Sequence, residues 1–216
     1  MQAARNQLID GAAALAVDLS QLQLDQLLAY LDLIQKWNKV YNLTAVREPA
    51  DMLTHHLLDS LAVIAPLKRE LGVLGVGHSA RLLDVGSGAG LPGIVITICC
   101  PEVSVDCVDT VAKKAAFINQ AAVTLKLSNL RSIHARVENL TEQYDLISSR
   151  AFASLPDFTT WSAGALKEGG VWLAMKGQHP QPEIDALKAD VAVFHVEQLA
   201  VPGLDAERCV VWMRRA

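Results

Sequence analysis

Along the first third of the chain, apolar positions return every three or four residues, which is the spacing of a helix with one buried face. Residues 1–19 are alanine-rich and predict a helix that Gly11 weakens at its middle. Ser20 with Gln23 has the capping-box pattern, and Leu24, Leu27, Leu28, Leu31, Ile34 and Trp37 then recur on one face that reads as core. Glu48-Pro49 opens another helix, with Leu53, Leu57, Leu61 and Ile64 on its buried side. Gly72, Gly75 and Gly77 mark residues 70–79 as a linker.

Beyond it the pattern changes to short apolar runs. RLLDV, VSVDCVD, LRSIH, YDLISSR, VWLAMKG, VAVFHVEQL and RCVVWMRR predict strands. Helices are predicted from Pro92 to about Cys100, over 113–127, over 155–167 and near 182–190. This alternation gives an α/β core over residues 76–216, preceded by a helical extension over 1–75. Abundant aliphatics suit a mostly parallel sheet covered on both faces.

Length allows one such domain with its extension, and no run reaches the ~18 apolar residues of a membrane span, so a soluble cytoplasmic protein is expected. Cys99, Cys100, Cys107 and Cys209 form no C-x-x-C pair and read as buried reduced thiols. A formal net charge of −4 argues against a nucleic-acid partner unless one face is basic. Lys36, Lys39, Arg47, Lys113, Lys114, Arg131, Arg136, Arg150, Lys167 and Lys176 are candidates for such a face around a ligand mouth, and the competing reading is a solvated surface.

The chemistry centres on RLLDVGSGAGLPG, residues 81–93, where a strand breaks into Gly86, Gly88 and Gly90 before a helix. Glycines there permit positive φ and let a ligand lie against bare backbone. The third glycine comes one residue too early for the dinucleotide fingerprint, Leu91 standing in its place, and no lysine followed by Ser or Thr makes a triphosphate cradle. Asp109 ends the next strand roughly 20 residues on, where a carboxylate accepts ribose hydroxyls. The turn therefore reads as an adenosine site. Lys36 to Thr44 interleaves bases, amides and aromatics as RNA-binding surfaces do. Asn38 and Asn42, one helical turn apart, would present both amides on one face; the alternative is a helix end with Trp37 and Tyr41 packed inward. His55, His56 and Asp59 invite a metal reading, but adjacent helical residues point to different faces, so no metal is expected.

An acidic residue, G-x-G-x-G and a second acidic residue closing the next strand resemble the class I S-adenosylmethionine-dependent methyltransferases. The strings KWNKVYNLTAVREP, HLLDSL, DVGSGAGLPGI, ISSRAFASL and MKGQ, in that order, narrow the resemblance to the bacterial 16S rRNA guanine-N7 methyltransferase family, once called glucose-inhibited division protein B. It covers the chain from about Leu24 onward. The resemblance implies a Rossmann-like, mostly parallel seven-stranded sheet with helices on both faces, the last two runs forming an antiparallel hairpin. It implies S-adenosyl-L-methionine as methyl donor and N7 of a guanine, nucleotide 527, in 16S rRNA or the small ribosomal subunit as acceptor.

By the same resemblance Gly86, Gly88 and Leu91 shape the methionine end of the donor pocket, Asp109 holds the ribose, and Val137 and Glu138 bracket adenine. Arg150 borders the cofactor and faces the acceptor as the catalytic residue, with a phosphate as its first-choice partner. Lys36, Asn38, Asn42, Arg47, His56 and Lys176 are the candidate RNA contacts; His55 departs from the family's arginine. The exit of YDLISSR lacks the Pro-Pro-aromatic string of amine methylases and the nucleophilic cysteine of cytosine-C5 enzymes. That suits guanine N7, which has an in-plane lone pair and no proton to lose. A monomer is expected. A small-molecule methyltransferase, a non-catalytic cofactor-binding regulator and a hydride-transferring dinucleotide enzyme remain as alternatives.

Overall fold

The computed structural model describes residues 2–76 and 79–216. Two long helices, α1 (Gln2–Ala14) and α2 (Gln21–Tyr41), begin the chain. The capping box forms at α2: Ser20 Oγ accepts the Gln23 N–H at 3.3 Å, and Gln23 Oε1 accepts the Ser20 N–H at 2.9 Å. Leu24, Leu27, Leu31 and Ile34 are buried as their spacing predicts, and Trp37 meets Phe117 edge-on at 5.4 Å. Gly11 has a different role from the weak point expected. A Cβ there would lie 2.5 Å from Leu58 Cδ2, so the missing side chain lets α1 close onto the following helical segment.

That segment is compound. α3 (Pro49–Met52) runs into a π turn (Leu53–Leu58), then α4 (Asp59–Leu61) and α5 (Ile64–Leu74). The expected linker over 70–79 is therefore corrected: α5 continues to Leu74 and ends on Gly75 in the left-handed conformation, φ 66°. Gly77 lies outside the described residues.

Seven strands follow: β1 (Arg81–Val85), β2 (Ser104–Asp109), β3 (Leu130–His134), β4 (Tyr144–Arg150), β5 (Leu166–Lys176), β6 (Val191–Gln198) and β7 (Cys209–Arg215). Their order is β3-β2-β1-β4-β5-β7-β6, parallel except for β7, which inserts antiparallel between β5 and β6. This is the expected Rossmann-like sheet with its closing hairpin. Helices α6 (Gly93–Cys99), α7 (Ala112–Thr124), α8 (Leu155–Ser162) and α9 (Gln181–Asp185) cross between strands.

Several helix boundaries differ from expectation: α1 stops at Ala14 short of residue 19, and α7 at Thr124 short of residue 127. The helix expected over 155–167 stops at Ser162, whose Oγ accepts the Trp172 indole N–H at 2.9 Å; Leu166 already pairs with Tyr144, and Lys167 lies in β5. The helix expected near 182–190 spans only Gln181–Asp185, because a turn from Lys188 to Val191 must lead into β6.

Along the central strands nearly every side chain is buried, successive ones on opposite faces of the sheet. Leu82, Leu146, Leu173 and Trp212 join one apolar cluster, while Leu83, Ile147, Trp172 and Val211 join another across the sheet. The first cluster also takes in Leu8, Leu27 and Leu57, so the N-terminal helices share the core of the sheet. No helix among the described residues is long and apolar enough to cross a membrane. Burial pushes the Cys99 and Cys100 thiols up to about 12, where they stay protonated.

Candidate active site

The parallel strands place their carboxyl ends on one rim, where open α/β sheets hold ligands. At the end of β1 the glycine turn has φ of 65° at Gly86, 59° at Gly88 and 85° at Gly90. Under it Asp84 is fully buried, with Oδ1 accepting Ser148 Oγ at 2.8 Å and Oδ2 accepting the Gly93 N–H at 3.1 Å. Burial raises its pKa to about 6 despite those hydrogen bonds. Gly93 has no room for a side chain: a Cβ would stand 2.4 Å from Cys107 Sγ and 2.9 Å from Asp84 Oδ2. From the N-terminal side, the buried Tyr30 hydroxyl donates to the Ala89 carbonyl at 2.5 Å.

Two cavities, of about 550 and 370 Å³, meet at Gly86, Lys114 and Ala151. The smaller is lined by Asp109, Val137 and Glu138 and walled by Phe152 and Trp161, whose rings meet edge-on at 5.8 Å. Asp109 is buried, with Oδ2 accepting the Gly88 N–H at 3.0 Å and Oδ1 the Val111 N–H at 2.8 Å. Each oxygen keeps a second lone pair for a hydroxyl. Glu138 pairs with Arg136 at 3.1 Å; its own backbone N–H and then that arginine hold its carboxyl below the usual range. Bare backbone at Gly88, a carboxylate at the end of β2 and an apolar slot at Val137 form a donor set fitted to a nucleoside cofactor, while the Phe152 ring fills the space where a Gly86 side chain would stand.

The larger cavity begins at Gly86, Gly88 and Leu91 and ends on a wall carrying His55, His56, Asp59, Arg150, Lys176 and Arg208. Arg150 Nη1 donates to Asp59 Oδ2 at 2.8 Å and to the His55 carbonyl at 2.9 Å; Arg208 Nε donates to Asp59 Oδ1 at 2.8 Å. Lys176 Nζ donates to the Ala153 carbonyl at 2.9 Å and pairs with Glu183 at 2.8 Å. His56 is buried, and neither ring nitrogen finds a partner among the described residues. Burial, and then Arg150, lower its pKa to about 4, so the ring is neutral at pH 7. Among the described residues no three His, Cys, Asp or Glu side chains gather to hold a metal ion.

The other predicted contacts disperse. Lys36 and Arg47 are exposed, and Arg47 Nη2 lies 3.5 Å from Asn42 Oδ1. Asn38, Lys39 and Arg47 border a separate groove of about 200 Å³. The expectation that one face presents both amides is corrected. Asn38 is buried, accepting the Thr44 N–H at 2.9 Å and donating to the Val46 carbonyl at 3.3 Å, whereas Asn42 is the left-handed cap of α2. Trp37 packs inward and Tyr41 stays exposed. Arg131 and Lys167 leave the proposed basic rim, because each is the second residue of its strand and so sits at the opposite edge of the sheet, paired with Asp106 and Asp145.

Sequence reasoning did not assign Asp59, Arg208, Phe152, Trp161 or Tyr30 to the site. Arg208 had one available signal: a residue just before an antiparallel last strand falls on the same rim as the carboxyl ends of the parallel ones.

The family model for GidB, rRNA small subunit methyltransferase G, matches residues 23–211. A ribosomal RNA small subunit methyltransferase G of Acidovorax ebreus (strain TPSY) is 67% identical over 209 residues, covering 95% of this chain and 92% of the relative. One of Polaromonas naphthalenivorans (strain CJ2) is 64% identical over 210 residues, covering 97% and 95%. Among solved structures, TrmN from Thermus thermophilus superposes with a TM-score of 0.58 at 17% identity, over 76% of this chain and 53% of that one. An S-adenosylmethionine-dependent methyltransferase from Clostridium acetobutylicum ATCC 824 superposes at 0.57 and 11% identity, over 87% and 99%. At such identities the structural likeness speaks to the fold alone.

Proposed function

Since the chain belongs to the GidB family of rRNA small subunit methyltransferase G proteins, we propose that it methylates N7 of a guanine in 16S rRNA, nucleotide 527, using S-adenosyl-L-methionine. The observation that carries this reading is the continuity of the glycine-turn cavity with a wall bearing two arginines. Gly86, Gly88 and Leu91 hold the amino-acid end of the donor, Asp109 the ribose, and Val137 with Glu138 the adenine. Phe152 and Trp161 close over that end.

The bound donor supplies an electrophilic methyl on a sulfonium. Guanine N7 offers an in-plane lone pair without a proton, so the protein has only to orient the base. Orientation is worth ~7 to 11 kcal/mol in favourable cases, enough to make it the main catalytic device. Arg150 faces the acceptor and binds a phosphate of its strand, which leaves N7 unobstructed. Lys36, Arg47 and Asn42 meet the RNA backbone farther out, while Asn38 shapes the loop between them. The partner is 16S rRNA or the small subunit, and the protein acts as a monomer in the cytoplasm.

The test offers labelled S-adenosylmethionine with small subunits from cells lacking this protein, with naked 16S rRNA and with free guanosine. N7-methylguanine at nucleotide 527 in either RNA sample supports the reading. A second reading, small-molecule methylation, draws on the net charge of −4 and on ion pairs that already engage Arg150, Arg208 and Lys176. Efficient turnover on free guanosine, with none on RNA, would favour it.

A further inference from the structure

Asp59 joins three distant parts of the chain at the acceptor wall. Its oxygens are shared out, Oδ2 to Arg150 and Oδ1 to Arg208, across 91 and 149 residues of sequence. The carboxylate is 5% exposed, whereas the arginines are 19% and 23% exposed and line the large cavity. One negative charge between two guanidinium groups leaves a net positive charge facing that cavity. Each arginine also spends a donor on backbone, Arg150 on the His55 carbonyl and Arg208 on that of Glu207. Each keeps three of its five N–H groups without an acceptor in that set of contacts.

The backbone is arranged to the same end. In a regular α-helix the Asp59 N–H would bond the His55 carbonyl four residues back. Here the π turn sends that N–H to the carbonyls of Thr54 and His56, and the His55 carbonyl takes Arg150 instead. Arg150 Nη1 is thereby held at two points, one a main-chain oxygen and one a carboxylate. Single-turn π bulges of this kind occur often at functional sites.

We infer that Asp59 is a positioning residue, setting Arg150 and Arg208 as a fixed pair whose remaining N–H groups hold the acceptor's phosphate; this rests on the proposed RNA methylation. Arg150 and Arg208 would touch the substrate, and Asp59 would act only through them.

Asp59→Asn keeps the shape but halves the acceptor capacity and removes the charge that gathers the two arginines. Its turnover on small subunits should fall by about tenfold or more, the scale at which a misplaced group affects the rate. KM for RNA should not rise, because a negative charge has been removed, and affinity for S-adenosylhomocysteine, read by titration calorimetry, should stay within about twofold. Asp59→Glu restores the charge with displaced oxygens, so it should not recover turnover. Equal turnover in Asp59→Asn and the unaltered protein would overturn the inference, as would full rescue by Asp59→Glu. Parallel loss of cofactor affinity, RNA affinity and turnover would also overturn it, marking a merely structural role. The unaltered protein on the same subunits is the control: no methylation there sinks the proposed function itself, whereas normal methylation with an indifferent Asp59→Asn sinks only the positioning role.

Discussion

Replacing His56 with Gln should alter how stability responds to acid, in the direction opposite to replacing Asp84 with Asn. The His56 ring has its pKa lowered from 6.5 to about 4, so in that interval the unfolded chain binds a proton that the folded one refuses. Its contribution is full above pH 6.5 and is lost as pH falls toward 4, at about 1.4 kcal/mol per pH unit and ~3 kcal/mol in all. Asp84 is raised from 3.8 to about 6, so the folded chain binds the extra proton. Its contribution is full below 3.8 and is lost as pH rises through 6, again by ~3 kcal/mol. Between about pH 4 and 6 the two slopes offset each other in the unaltered protein. Urea unfolding followed by circular dichroism at steps from pH 4 to 7 exposes them, since every other titration cancels in the difference from the unaltered protein. His56→Gln should gain ~3 kcal/mol relative to it on going from pH 7 to 4, and Asp84→Asn should lose about 2 to 3 kcal/mol over the same range. Difference curves that are flat, or that slope the same way, would refute the placement of these two groups.

Gly93→Ala should destabilise the fold by about 1 to 3 kcal/mol in the same unfolding assay, because its Cβ would enter the space of Cys107 Sγ and Asp84. Trp161 is half-exposed on the smaller cavity while Trp172 and Trp212 are buried, so titration with S-adenosylhomocysteine should quench or shift tryptophan emission. Trp161→Phe should remove most of that change without abolishing binding. Arg150→Ala should abolish RNA methylation and leave S-adenosylhomocysteine affinity nearly intact; a large loss of cofactor binding would contradict the acceptor role proposed for it.

What could be read from the sequence was what neighbouring residues decide among themselves. The glycine turn, the capping box at Ser20 and the strand ending in Asp109 each lie within one short stretch, and each appears where its spacing put it. The π turn left no such trace. Over six residues its period departs from 3.6 by less than one position, and Leu53, Thr54, His56, Leu57 and Leu58 are all buried, so no polar face records the shift. Asn38 misled for a related reason. An amide at a helix end can face water or stitch a loop, and only the path of residues 42–46 decides which. The Asp59 cluster lay beyond reach because its members are local to nothing but each other, and a net charge summed over the chain cannot show which cations are already paired.

The wall at Asp59 also changes what the N-terminal helices are for. Their amphipathic pattern accounts for burial but equally suits an appended binding module that could be moved without disturbing the sheet. The contacts are against that. Gly11 admits Leu58, the last residue of the π turn, and the next residue is Asp59. Tyr30 on α2 bonds the Ala89 carbonyl within the glycine turn. The extension thus reaches the site twice, once at the glycine turn and once at the wall that carries Asp59 and Arg150, through groups that are buried and sterically matched. Any shift of α1 or α2 against the sheet must move Asp59 or the glycine turn relative to Arg150, which β4 holds in place. On the mechanism proposed above, the orientation that methyl transfer depends on is therefore set jointly by the extension and the sheet.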